Sequence, residues 1–250
     1  MKKVKSIVFI LLVSVLAACS ATKDEYTEAA KINNAFKLFE KAQYSMYSGN
    51  YRNAVEYLER LDGLYPFGPY SHQAQLNLIY SYYQLSDYAS GIAAAERFIR
   101  QNPRHKDLDY AYYMKGLINF STETSFGKEI FSAPMSERDA STARQSFDDF
   151  AELLRLFPNS KYAKDTQYRL IYLRNRLADY ELHVANYYLK RSAYLAAANR
   201  AKYVVDHYPR TPAVPKALEM MVITYKLLDL PDLAENSRRI LLLNYPDFKI

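Results

Sequence analysis

The chain has 250 residues, of which 50% are hydrophobic and 24% are charged. This composition is typical of a globular protein and excludes the disordered, collagen-like and disulfide-rich classes. The chain contains 25 Tyr, no Trp and only 6 Gly, and its formal net charge is +6. Because tight β-hairpins depend on glycine, so few glycines favour an all-α fold.

The N-terminal segment has the layout of a secretory signal peptide. Lys2, Lys3 and Lys5 precede the apolar run 7–16, which is followed by small residues. This run is shorter than the ~20 residues that cross a bilayer, so we expect residues 1–18 to be cleaved off. Removing the three lysines leaves 30 basic against 27 acidic side chains, a net of +3. So mild an excess, with no run of five basic residues, does not support nucleic-acid binding.

The position of Cys19, the single cysteine of the chain, indicates lipid attachment. Residues 16–19, with the sequence LAAC, resemble the bacterial lipobox. That resemblance implies a diacylglycerol group on the Cys19 thiol and an acyl chain on its new amino terminus, and no other cofactor is expected. Several acyl chains anchor a protein stably where one chain would be marginal. By the same resemblance, Ser20 in place of Asp after the cysteine favours sorting to the outer membrane, so we predict a lipidated linker over 19–33 on its periplasmic face.

The remainder of the chain, residues 34–250, contains five similar segments that each end in proline. These prolines, spaced 37, 55, 51 and 37 residues apart, are Pro66, Pro103, Pro158, Pro209 and Pro246. Such a period is typical of helical-hairpin repeats, in which proline follows the end of a helix. We therefore predict an all-α tetratricopeptide-repeat solenoid, a right-handed superhelix of five hairpins. The predicted hairpins are 35–66, 72–103, 107–158, 160–209 and 215–246.

Small residues are expected where the two helices of a hairpin cross, as at Ala42 and Ala54 of the first unit. Ile79 and Val222 depart from this pattern and predict looser crossings in the second and fifth units.

Two units are longer than the basic period. The third contains an insertion at 121–135, whose composition, including Gly127 and Pro134, predicts a non-helical segment. The fourth has neither Gly nor Pro from Ser160 to Tyr208. Its apolar residues recur at steps of three and four, which predicts one long helix from Tyr162 to Lys190, ~43 Å in length.

Catalytic and phosphate-binding motifs are missing from the sequence. The six glycines form no phosphate-binding loop or nucleophile elbow, and the four isolated histidines form no metal-binding motif. Asp148, Asp149 and Glu152 lie at helical spacing from Arg144 and Arg155, which predicts solvated ion pairs rather than a catalytic carboxylate pair. We therefore predict that the chain is not an enzyme and holds no metal.

The segment 65–71 is the strongest candidate for a binding surface. Tyr65, Phe67 and Tyr70 alternate there with two prolines and a glycine, which predicts a stiff aromatic loop. Such a loop could set the angle between repeats or contact a bound peptide. Arg97 is open to two interpretations as well, because a cation near a helix C-terminus complements the helix dipole or, projecting into a groove, captures a carboxylate.

The features that carry a family resemblance are the lipobox, the five repeats, the 65–71 loop and the segments 97–100 (RFIR) and 176–181 (RLADYE). With these features the chain closely resembles the BamD family of β-barrel assembly lipoproteins. The resemblance covers nearly the whole chain. It implies a scaffold in the outer membrane that works with other assembly lipoproteins and supports insertion of unfolded outer-membrane proteins.

The resemblance also suggests site residues. It implies that Tyr65, Phe67, Tyr70 and Arg97 contact the C-terminal targeting segment of the substrate, and that Arg200 meets an acidic group of the periplasmic domains of BamA. The alternative is another periplasmic repeat lipoprotein, an adaptor that coordinates peptidoglycan or other envelope enzymes.

Overall fold

The structure is a computed structural model that describes residues 30–129 and 135–248. The predicted signal peptide 1–18, Cys19 and most of the linker 19–33 lie outside the described residues, as does 130–134 within the predicted insertion. The described residues form ten α-helices and one short 3-10 helix, with no strand among them. The predicted all-α fold is therefore confirmed.

The helices follow one another as consecutive antiparallel hairpins. Their bounds are α1 30–47, α2 Tyr51–Leu64, α3 Ser71–Gln84, α4 Tyr88–Gln101, α5 Leu108–Glu129, α6 Ser141–Leu156, α7 Ala163–Lys190, α8 Tyr194–His207, α9 Val214–Leu227 and α10 Pro231–Asn244. Each predicted hairpin contains one successive pair of these helices. The chain divides into two compact units, the first ending at Gln101 and the second beginning at Asn102.

The first unit contains α1 to α4 and is held together by a small-residue and leucine core. Gly49 has a φ of +76° in the turn between α1 and α2, a left-handed conformation that glycine adopts without strain. Ala42 and Ala54 are completely buried, as the predicted close crossing of these helices requires. Leu58 and Leu78 belong to the same buried cluster. Burial of this face accounts for the amphipathic pattern of α2.

The second unit contains α5 to α10, with the 3-10 helix Met135–Glu137 before α6. Its longest element is α7, with 28 residues, as the sequence predicts. This helix contacts α6, α8, α9 and the 3-10 helix. Two leucines of α7, Leu173 and Leu177, are 0% and 1% exposed. They belong to the same hydrophobic cluster as Ala201 of α8 and Leu218 of α9. The lengthened helix therefore contributes to one continuous core.

The prediction that the insertion 121–135 is non-helical is wrong for its first part, because α5 continues to Glu129. Once a helix is formed, each added residue gains a hydrogen bond to a C=O group of the preceding turn, and a single glycine lowers the tendency to continue without ending the helix. Where α5 crosses α6, Gly116 lies against the Phe150 ring so closely that an added Cβ would come within 2.7 Å of two ring carbons.

Ile79 and Val222 occupy the positions where the pattern expects a small residue. Their exposed fractions are 0% and 2%, so a larger side chain fills the core at those positions.

Candidate functional site

The loop that joins α2 to α3 is fixed by its own hydrogen bonds. The Gly68 N–H donates to the Tyr65 carbonyl at 3.0 Å, and the Ser71 N–H donates to the Gly68 carbonyl at 3.1 Å. The Ser71 hydroxyl also donates to the Pro66 carbonyl at 2.5 Å. These hydrogen-bonded turns, together with the prolines, hold the loop in one conformation. Binding a partner would therefore cost the loop little conformational entropy.

The three aromatic residues predicted for this loop differ in their surroundings. Tyr70 stacks on Phe39 of α1, with ring centroids 5.0 Å apart and planes inclined by 21°, and lies 6.0 Å from Phe36. Phe67, in contrast, is 99% exposed. Tyr65 is half-buried. Tyr70 therefore attaches the loop to α1, whereas Phe67 projects into solvent.

Phe67 belongs to a larger apolar surface, which we call the aromatic patch. It consists of Phe67, Tyr65, Leu64, Ile32 and Phe36. Leu64, Ile32 and Phe36 are 58%, 44% and 44% exposed. A shallow cavity of about 280 Å³ lies among the first four of these residues.

The sequence patterns single out Tyr65 and Phe67, but they do not identify the contributions of α1 and Leu64 to the aromatic patch. These residues belong to the amphipathic repeat, in which apolar positions are expected to face the core.

Arg97 lies at a different place in the same unit. Its Nη1 is 3.0 Å from Oδ2 of Asp62, and the two side chains are 42% and 12% exposed. Asp62 also accepts a hydrogen bond of 2.8 Å from Nε2 of Gln75. Arg97 lines a groove of about 450 Å³ between α2, α3 and α4, whereas the cavity at Phe67 is formed by α1, α2 and the loop.

In the second unit, Arg200 contacts a buried acid of its own chain. Nη1 of Arg200 is 2.9 Å from Oε2 of Glu181, and Nη2 of Arg144 is 3.6 Å from the other oxygen of the same carboxylate. Glu181 is 3% exposed, whereas Arg144 and Arg200 are 45% and 46% exposed. One buried negative charge is therefore shared by two half-exposed positive charges, which leaves a surplus of one positive charge at the surface.

Two tyrosine hydroxyls help to keep the guanidinium group of Arg144 charged. Burial on its own would lower the pKa of Arg144, but hydrogen bonding and charge interactions with Tyr208 and Tyr203 raise it. Burial raises the pKa of Tyr208. Arg144 is therefore a fixed cation beside Arg200. The role of Glu181 is missed by spacing arguments because Arg144, Glu181 and Arg200 lie on three different helices.

The prediction of solvated ion pairs on α6 is correct for one pair and wrong for Asp149. Glu152 and Arg155 form an exposed pair at 3.4 Å. Asp149 is 4% exposed and lies 3.2 Å from Nζ of Lys115, while Nδ2 of Asn119 donates to it at 2.7 Å. The physical reason is that this side of α6 packs on α5, where a carboxylate needs buried donors.

A second buried ion pair joins α7 to α5. Nε of Arg176 is 2.8 Å from Oε1 of Glu123, with side-chain exposures of 3% and 7%. Nη2 of Arg176 also donates to the carbonyls of Arg138 and Asp139. The pair therefore fixes the chain immediately before α6, and Arg176 has a structural role within the segment 176–181.

Across residues 30–129 and 135–248, no three His, Cys, Asp or Glu side chains come together in a way that could hold a metal ion. Among the helices in these ranges, none combines the length and the apolarity that crossing a membrane requires.

Comparison with known proteins identifies the family. The family model of YfiO, described as an outer membrane lipoprotein, matches residues 31–240. The chain is 40% identical to the outer membrane protein assembly factor BamD of Vibrio cholerae serotype O1 over 235 residues, which cover 94% of this chain and 96% of the relative. It is 39% identical to BamD of Neisseria gonorrhoeae, with 98% and 92% covered.

Among solved structures, a tetratricopeptide repeat protein from Parabacteroides merdae is similar, with a TM-score of 0.39, 12% identity, and 84% of this chain and 80% of that chain covered. The extent of the family match and the identity to curated relatives along nearly their whole length lead to one conclusion: the chain belongs to the YfiO family of outer membrane lipoproteins, which it shares with the BamD assembly factors.

Proposed function

We propose that the chain is a non-enzymatic, lipid-anchored scaffold on the periplasmic face of the outer membrane, where it assists the assembly of outer membrane proteins. In this proposal the aromatic patch holds unfolded β-barrel substrates, and the Arg200 region holds the periplasmic domains of BamA. The names of the relatives support the assembly role, and the LAAC sequence at 16–19 supports the anchor at Cys19. Other assembly lipoproteins are expected partners.

The observation that carries the substrate role is the exposure of Phe67 on a fixed loop. Phe67 is 99% exposed, and burying one such side chain against a partner contributes about 2 kcal/mol. Because the loop is already ordered by its hydrogen bonds, binding costs little conformational entropy. Outer-membrane β-strands alternate apolar and polar residues, and an extended segment of this kind offers apolar side chains to such a patch.

The proposed contact with BamA depends on the charge surplus at Arg144 and Arg200. Their shared partner, Glu181, neutralises only one of the two guanidinium groups. The exposed edges of both groups can therefore take an acidic side chain of a partner, for which guanidinium groups have the matching planar geometry.

No chemical step is required in either role. Binding at the patch and at Arg200 draws only on burial, hydrogen bonding and charge, and the free energy of assembly comes from folding of the substrate and its transfer into the membrane.

A photocrosslinking experiment tests the substrate role. A photoreactive amino acid is placed at Phe67 or, as a matched control, at Tyr47, which is 93% exposed on α1 of the same unit. We expect crosslinks from position 67, but not from position 47, to newly exported β-barrel proteins. Crosslinks from position 67 to assembly subunits alone would favour a purely architectural loop.

A charge reversal tests the contact with BamA. We expect Arg200→Glu to lose co-purification of BamA from detergent-solubilised outer membranes, while Arg238→Glu on α10, also an exposed pair member, retains it. Normal recovery of BamA with Arg200→Glu would remove this part of the proposal.

Depletion of the protein distinguishes the assembly role from the alternative role as an adaptor for envelope enzymes. Loss of an assembly factor reduces β-barrel proteins in the membrane, whereas loss of an envelope-enzyme adaptor alters the cell wall.

A further inference from the structure

The groove that contains Arg97 has the composition of a binding site, although it lies apart from the cavity at Phe67. It has a volume of about 450 Å³ and lies between α2, α3 and α4. Its polar lining includes Glu59, Asp62, Tyr82 and Arg97, and its apolar floor includes Leu78, which is 1% exposed. A groove with an apolar floor and a few convergent polar groups is the usual form of a ligand site.

The charges in this groove do not balance. Among its lining residues, Glu59 and Asp62 each contribute a carboxylate, whereas Arg97 is the one basic side chain. Arg97 is bound to Asp62 at 3.0 Å. Glu59 instead receives the hydroxyl of Tyr82 at 2.5 Å, and this neutral donor leaves its charge uncompensated. The lining therefore has one negative charge in excess.

The Tyr82 hydroxyl keeps Glu59 in place. Burial, followed by the hydrogen bond to Glu59, raises the pKa of Tyr82 above its ordinary value. Tyr82 therefore stays protonated and continues to donate to the carboxylate. A carboxylate oriented in this way is ready to accept from an incoming cation without reorganising.

Gly63 leaves the groove open. It lies in the last turn of α2 and lines the groove, and an added Cβ would have no neighbour within 4 Å. Neither helix packing nor a left-handed backbone therefore requires glycine at this position, and glycine in a helix costs about 0.5–1 kcal/mol relative to alanine. What the missing side chain does provide is free space beside Asp62 and Glu59.

We propose that this groove is a second subsite for unfolded substrate segments, which takes a basic side chain, an arginine or a lysine, against Glu59 and Asp62 while the aliphatic part of that side chain lies over Leu78. The inference rests on the proposed substrate role of the first unit and specifies its chemistry. An acidic ligand is not expected, because Arg97 is already paired and two carboxylates face the same space. The site therefore selects segments with a basic residue near an apolar stretch.

A pair of peptides tests the charge requirement. The full-length protein in detergent is titrated with a fluorescein-labelled peptide that contains the last β-strand of an outer-membrane porin and one arginine, or the same peptide with citrulline, which has the same shape without the charge. We expect the citrulline peptide to bind wild-type protein about five-fold more weakly, as for one partly exposed ion pair. Equal affinity of the two peptides would overturn the subsite.

Two variants assign the difference to the groove. Glu59→Gln retains an acceptor for Tyr82 but removes the charge. Gly63→Phe adds a ring at a position of the groove lining where a new Cβ has no neighbour within 4 Å. Both are expected to bind the arginine peptide no better than the citrulline peptide. Arg60→Phe, which adds the same ring at an exposed position of α2 outside the groove lining, is expected to retain the difference. If Glu59→Gln and Gly63→Phe also retain it, the subsite is wrong.

Phe67→Ala distinguishes this inference from the proposed function. We expect it to weaken both peptides equally and to leave their ratio unchanged. If Phe67→Ala weakens binding but the two peptides never differ, the aromatic patch stands and the basic-residue subsite fails. If the two peptides differ but Phe67→Ala has no effect, the subsite stands and the patch fails. Peptides that do not bind wild-type protein at all would overturn both.

Discussion

The carboxylate of Glu181 lies 2.9 Å from Nη1 of Arg200 and is almost completely buried, whereas Arg200 is 46% exposed. The other oxygen of this carboxylate faces Arg144. Since an isolated buried carboxylate is strongly unfavourable, both arginines help to stabilise Glu181, and their outer edges stay available to solvent. The arrangement links the stability of α6, α7 and α8 to the surface charge proposed to meet BamA.

Replacing Glu181 with Gln is expected to destabilise the second unit. The variant loses the charge that both guanidinium groups contact, and hydrogen bonds to charged groups contribute about 1.5–3 kcal/mol each. Because the arginines are half-exposed and can be resolvated, we expect a total loss of about 2 kcal/mol. Urea unfolding followed by circular dichroism measures the change. As a control, Glu235→Gln removes an exposed partner of Arg238 and should cost less than about 0.5 kcal/mol; equal losses would contradict the prediction.

Tyr70 and Phe67, two of the three aromatic residues of the loop, are expected to respond differently to truncation. Tyr70→Ala removes a ring stacked on Phe39 at 5.0 Å and should lower the free energy of unfolding by about 2 kcal/mol. Phe67→Ala removes a 99% exposed ring and should change it by less than about 0.5 kcal/mol. Thermal melting of both variants provides the measurement. A destabilised Phe67→Ala would mean that this ring packs within its own chain.

Two glycines in helices should show opposite effects when alanine replaces them. At Gly116 the new Cβ would meet the buried Phe150 ring at 2.7 Å, so we expect a loss of about 1–3 kcal/mol from overpacking. At Gly63 no atom lies within 4 Å of the new Cβ, so the gain in helix propensity should stabilise the protein by about 0.5–1 kcal/mol. Denaturant midpoints of the two variants measure both signs. The packing argument fails if Gly116→Ala is neutral.

Asp165 is expected to make stability depend on pH in the acidic range. Burial would raise the pKa of Asp165, but hydrogen bonds from Arg169 at 2.6 Å and Tyr113 at 2.9 Å hold it below its ordinary value. A lowered folded-state pKa stabilises the protein above the unfolded-state pKa of about 4, and this contribution is lost as the pH falls through the folded-state value.

Asp165→Asn therefore tests this contribution. The carboxylate is 47% exposed, so the loss at neutral pH should stay below about 1 kcal/mol. Melting temperatures of wild type and variant should converge as the pH approaches about 3 or lower. Tyr113→Phe, which retains the ring stacked on Tyr162 at 4.4 Å, should show a smaller change of the same sign. A constant difference across this range would exclude the assignment.

Periodicity predicts the hairpins well because each depends on local sequence signals. The spacing of apolar residues at steps of three and four predicts the bounds of α7 to within one residue, because the helix starts at Ala163 instead of Tyr162 and ends at Lys190 as expected. The extension of α5 to Glu129 is missed, since Gly127 alone does not end a helix that is already formed.

The candidate sites are only partly predictable for a different reason. Exposure of Phe67 agrees with its place in a proline-rich loop. Asp149 and Glu181, in contrast, are buried against other helices. Their hydrogen-bond partners Asn119 and Arg200 lie 30 and 19 residues away in sequence. Pairing with Lys115, Asn119 and Arg200 depends on which helix faces pack together. Charge spacing along one helix contains no information about such partners, so Asp149 is wrongly predicted as solvated.

The 28-residue length of α7 has a consequence for how the second unit unfolds. Arrays of short repeats can lose their end units one at a time, because each repeat contacts only its neighbours. Here a single helix contacts α6, α8 and α9, so fraying of the fourth hairpin would remove support from the third and the fifth together. We therefore expect the second unit to unfold as one cooperative block instead of losing its hairpins one at a time.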